Sequence, residues 1–185
     1  MRSITPRTLS NNAFKDIPKE YFPFLCAFAV YGHGLGQTRL IELLKRQHAT
    51  SPFANKIALD VLSVKAMLGN LMVAKLIHTE TVGFELRPDL QWPLLDLIAT
   101  EGTLNSWVKN AQQVRPMVQY WESTSRQSYA QLCIYSVMLN DSETLIQDLQ
   151  AFSAANLTHT ALQQHPIHFF FQSELALHFF TQVDP

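Results

Sequence analysis

Charge is scarce in this chain. Asp, Glu, Lys and Arg make up 16% of its 185 residues, against 47% hydrophobic residues, where about a quarter charged is usual for a soluble domain. A chain so poor in charge leaves apolar surface for a partner or for further sequence to cover. The net charge is −1, which excludes a field that would draw a polyanion to the whole molecule. Cysteine is nearly absent. Cys26 and Cys133 each sit in an apolar run, which excludes a disulfide scaffold and points to buried thiols in a reducing cytoplasm. No uninterrupted apolar stretch approaches the roughly 20 residues of a transmembrane helix. Met1-Arg2-Ser3-Ile4-Thr5-Pro6 has no apolar core of the signal-peptide kind, so no membrane partner is expected.

Catalytic signatures are missing too. There is no G-x-S-x-G, and neither cysteine has a catalytic neighbourhood. Gly32-His33-Gly34-Leu35-Gly36 lacks the G-x-G-x-x-G spacing and follows a helix, not a strand; it reads as a helix stop and a loose turn. His159, His165, His168 and His178 cluster late in the chain, but Pro166 interrupts the first close pair and no H-E-x-x-H occurs. His33, His48 and His78 are scattered. Asp96 and Glu101 read as a solvated acidic face. No enzyme, no metal and no cofactor is expected of this segment.

What is present is a pattern. A chain of this length holds one domain or two small ones. Residues 1–20 read as a polar, extended arm carrying Pro6 and Pro18. Pro23 suits the first turn of a helix, with Phe24, Leu25, Phe28 and Ala29 as its apolar stripe and the three glycines after it as its end. Gln37–Gln47 reads as a second helix, with Leu40, Ile41, Leu43 and Leu44 inward and Arg39, Glu42, Lys45 and Arg46 outward. A third starts near Asn55, with a restart at Ser63, and runs to Val73. Leu76 and Ile77, a polar turn, and Phe84 and Leu86 alternating with Glu85 and Arg87 make a two-stranded wing that Pro88 stops.

Helix, turn, helix, helix and hairpin over residues 21–90 is the order of a winged helix-turn-helix. Residues 91–185 read as an all-helical region: helices from Pro93 to Ala99, from Leu104 to Ala111, from Pro116 through Thr124, and from Gln127 to Leu139. The last of these turns at Asn140-Asp141-Ser142 into a partner that Ser142 caps. His168–Phe180 closes the chain as an apolar helix. Its phenylalanines suggest a natural chain that continues, or a partner that covers them. The fold expected is mainly α.

Charge divides with the fold. Residues 1–90 carry 11 Lys and Arg against 7 Asp and Glu, whereas residues 91–185 carry 3 against 8, so a polyanion would bind the first half. In a DNA-reading winged helix the helix before the wing offers polar side chains to base edges. Here it offers only Ser63, Lys65 and Asn70. Lys56 ahead of it, Lys75 behind it, Arg87 in the wing and Arg39, Lys45 and Arg46 on the second helix could contact phosphates, giving weak, sequence-blind, salt-dependent duplex binding. The alternative use of the same fold is protein docking, with Val64, Leu68 and Val73 as the apolar face.

The helix Leu40-Ile41-Glu42-Leu43-Leu44, the helix-to-wing join from Leu68 to Ile77, and the run from Leu132 to Asp141 with an apolar helix behind it resemble the N-terminal regions of bacterial Swi/Snf-type DNA translocases. There a winged helix precedes helical hairpins and a motor follows. The likeness spans most of residues 22–180 and rests on pattern. No Walker or helicase motif is present, so no ATPase residue carries over. It implies a non-catalytic interaction or regulatory module of a larger DNA-transacting, helicase-like protein. The partners implied are duplex DNA, a protein, or further domains of the same chain. The competing expectation is a transcription regulator whose helical second half dimerises or holds a ligand.

Overall fold

The computed structural model describes residues 14, 16–48, 59–81, 83–115 and 125–157. The protein is mainly helical, with one two-stranded antiparallel sheet. It divides into two compact units, Met1–Val114 and Arg115–Pro185.

Helix α1 (Phe22–Tyr31) has Pro in its first turn, where a missing N–H costs nothing. Every residue from Phe24 to Tyr31 is buried. Such a helix is apolar all round because neighbours surround it. Gly32 ends it with φ +79, its N–H donating to the Phe28 carbonyl at 3.0 Å. The arm before it is not extended over its last residues: the Ile17 N–H closes a turn on the Phe14 carbonyl, Lys19–Tyr21 form a 3-10 turn, and the Phe14 ring meets Phe22 edge-on.

Helix α2 (Gln37–His48) buries Leu40, Leu43, Leu44 and Gln47 and turns its charges outward. The helix start expected near Asn55 lies outside the described residues. Helix α3 (Val61–Val73) begins where the Asp60 carboxylate accepts the Leu62 and Ser63 N–H groups, each at 2.9 Å. An Asp at this position satisfies donors that the first helical turn leaves unpaired. The helix ends in a Schellman turn: Lys75 takes φ +55, and the Leu76 N–H reaches the Leu71 carbonyl at 3.0 Å.

Strands β1 (Ile77–Glu80) and β2 (Gly83–Leu86) pair with Ile77 opposite Leu86, His78 opposite Glu85, Thr79 opposite Phe84 and Glu80 opposite Gly83. Ile77 and Leu86 are buried on one face. The glycine segment after α1 does more than turn. Leu35 bridges to Phe84, whose N–H donates to the Leu35 carbonyl at 3.2 Å, so the wing gains a rudimentary third strand. That close approach requires Gly83. Its φ is +119, and a Cβ there would lie 2.9 Å from the Leu35 carbonyl carbon.

Pro88 does not only stop the strand. It opens helix α4 (Pro88–Thr100), with φ preset for a first helical position. Pro93, expected to begin that helix, lies inside it, because the stripe Leu90, Leu94, Leu95 and Ile98 buries one continuous face and outweighs one missing backbone bond. Gly102, at φ +70, ends α4 in a second Schellman turn before helix α5 (Leu104–Val114). Helices α4 and α5 pack on α1, and α5 also on α2. The first unit therefore continues past the division expected at residues 90 and 91.

The second unit is described as a helical hairpin of α6 (Ser125–Met138) and α7 (Ser142–Leu157). Asn140 takes φ +54 between them. The cap is Asp141, not Ser142: its carboxylate accepts the Thr144 N–H at 3.0 Å and the Thr144 hydroxyl at 2.8 Å. Those bonds hold its carboxyl below the usual carboxylate value. The expected helices at Pro116–Thr124 and His168–Phe180, and the late histidine cluster, lie outside the described residues.

Candidate interaction surface

The helix before the wing presents an apolar face to solvent. Val61 is 62% exposed, Leu62 78%, Met72 38% and Val73 85%. At 3.6 residues per turn these positions, with Lys65, Ala66 and Gly69, fall on one arc of about 140°. The opposite side holds Val64, Leu68 and Leu71, all buried. Val64 and Leu68, expected to form a docking face, are instead core residues, and of that expected trio only Val73 reaches solvent. The middle of the exposed arc is open. A Cβ added at Gly69 would meet nothing within 4 Å.

Three of the polar residues expected to meet DNA, Ser63, Arg46 and Arg87, are engaged with neighbours. The Ser63 hydroxyl donates to Asp60 Oδ2 at 2.6 Å and belongs to the helix cap. These bonds hold the Asp60 carboxyl below its ordinary value. Arg46 sits on the α5 side: it binds Glu42 through Nε and Nη2 and Gln113 through Nη1, the last at 2.7 Å. Arg87 Nε is held by Asp89 at 2.6 Å. Lys56 lies outside the described residues. Arg39, Lys45, Lys65 and Lys75 have no ion pair among the described residues, and Asn70 is exposed at the end of α3. Lys75 is also the left-handed residue of the α3 end, so its backbone does structural work whatever its ammonium meets.

The wing is not basic either. Its outward positions His78, Glu80 and Glu85 share one face, because His78 is opposite Glu85 and Glu80 is two residues on. His33 reaches in from the glycine segment, its Nδ1 3.0 Å from Glu85 Oε1. Two carboxylates on a wing repel phosphate. Along the sequence His33 and His78 look scattered; strand alternation is the signal that joins His78 to Glu80 and Glu85.

Beneath α1 and α5 lies a mainly apolar cavity of about 450 Å³, lined by Phe14, Phe22, Cys26, Leu44, Leu97 and Trp107, with Gln47 and Glu101 among its polar groups. Gln47 is buried, its Oε1 accepting from Asn110 at 2.8 Å and Ser106 at 3.3 Å, which ties α2 to α5. Burial, with the Glu101 charge, pushes the Cys26 thiol up to about 12. A thiol so held is protonated at neutral pH and is no nucleophile. Cys133 in the second unit is pushed up to about 12 by burial and by Asp148. No helix among the described residues is long and apolar enough to cross a membrane. No family model, curated protein or solved structure matches the chain.

Proposed function

We propose that the first unit is a non-catalytic docking module whose α3 outer face binds a protein surface. The observation that carries this reading is the exposed apolar arc from Val61 to Val73, with Lys65 as its single cation. Burying such side chains against a partner stabilises a complex at about 25 cal/mol per Å² of apolar area. Reading DNA needs donors and acceptors aimed at base edges, and this helix has few. Duplex contact through Arg39, Lys45, Lys65 and Lys75 is then weak and sequence-blind. Such a module suits a cytoplasmic, larger DNA-acting protein of the kind the translocase resemblance implies. The cavity favours a second reading, a winged-helix regulator that responds to an apolar small molecule.

Filter retention of random and mixed-sequence duplex across a salt series separates these readings. Docking predicts faint retention at low salt, lost in Lys65→Glu/Lys75→Glu, and binding of an apolar fluorescent dye that falls in Leu62→Glu/Val73→Glu. Tight, sequence-selective retention that survives physiological salt would overturn docking in favour of the regulator.

A further inference from the structure

We propose that the outer face of the wing is a zinc site formed by His78, Glu80 and Glu85, with His33 holding Glu85 in place. One ligand atom from each of His78, Glu80 and Glu85 lies within 4.8 Å of the other two. His78 Nε2 and Glu80 Oε1 are already 3.3 Å apart. Tetrahedral zinc with bonds of 2.0–2.1 Å sets its donors about 3.4 Å apart. Side-chain rotation alone closes the remaining gap, since all three project from strand positions fixed by the His78–Glu85 register.

The donor set selects the ion. An imidazole with two carboxylates suits zinc and its transition-metal neighbours, whereas calcium and magnesium take oxygen ligands. His33 supplies the outer support that metal carboxylates use. Its ring nitrogen binds Glu85 Oε1 and leaves Oε2 for the ion. Cross-strand placement adds a reason for the cluster. Glu80 and Glu85 are like charges brought together by the hairpin, and a cation between them turns that repulsion into a clasp joining β1 to β2. The three side chains are at least partly exposed, so the ion has an open path and the fourth position faces solvent.

The test uses the full chain, freed of metal, titrated with Zn²⁺ by calorimetry and with Co²⁺ by visible absorption. One equivalent is expected to bind at the wing and to give the absorption bands of low-coordinate cobalt. His78→Gln and Glu85→Gln should each weaken that binding about 100-fold or more, and His33→Gln about 10-fold. A chain with His159, His165, His168 and His178 all changed to Gln should keep it. Unchanged affinity in His78→Gln, or loss in that quadruple variant, would overturn the site. Should His78→Gln fail to fold by circular dichroism, Glu80→Gln at an exposed position carries the same expectation.

Discussion

Helices α1 and α3 are both apolar, yet they spend that character differently. From Phe24 to Tyr31 every side chain of α1 is buried, because α2, α4, α5 and β2 surround it. Helix α3 packs chiefly on α2 and β1 and leaves Leu62 and Val73 in solvent. The difference separates two uses of hydrophobicity. In α1 it drives folding. In α3 only the Val64, Leu68 and Leu71 side does so, and the other side is available for association.

The sharpest test of that contrast is a pair of truncations. Phe28→Ala in α1 removes a fully buried ring and should cost about 3–5 kcal/mol. Val73→Ala in α3 should stay within about 0.5 kcal/mol. Urea unfolding of the two variants measures both, and equal losses would erase the distinction.

A smaller effect probes what holds the wing beside α1. Gly83→Ala puts a Cβ 2.9 Å from the Leu35 backbone at φ +119, and should cost about 1–3 kcal/mol. Amide exchange should quicken at Phe84, whose N–H loses the Leu35 carbonyl, while the α1 amides stay protected. Protection unchanged at Phe84 would mean that the bridge tolerates a side chain.

The smallest effect concerns the start of α3. Asp60 is depressed below its ordinary value in the folded chain, chiefly by the Ser63 hydroxyl and backbone N–H. Its stabilising bonds are therefore complete above the unfolded carboxylate value of about 3.9 and are lost as the pH falls through the lower folded value. Asp60→Ala should lower the urea midpoint at pH 7, and the gap to the parent chain should narrow as the pH drops below the carboxylate range. A gap independent of pH would exclude the capping bonds as its cause.

Much of the local structure was legible from residues alone. Gln37 marks the start of α2 because leucines recur at helical spacing behind it. The hairpin shows in Phe84 and Leu86 alternating with Glu85 and Arg87. Pro88 reads as a stop and is also a start, since a proline suits both the end of a strand and the first turn of a helix. A helix start near Asn55 places Asp60 within the helix, whereas Asp60 is the cap from which α3 begins. The cluster of His33, His78, Glu80 and Glu85 was not legible as a whole: His33 stands 52 positions from Glu85, and no local period reports such a distance.

The sequence by itself determined the mainly helical composition, the apolar character of α1 and α3, the glycine stop at Gly32 and the two-stranded wing. Each of these follows from side chains a few positions apart, which share a turn or a pleat and act on the backbone directly. Only the tertiary structure decided which side of α3 meets water, that Arg46 reaches Gln113 on α5, that α4 and α5 belong with the wing, and that Leu35 lies along Phe84. Those outcomes depend on which surfaces are already occupied when distant segments meet, and occupancy is a property of the packed chain.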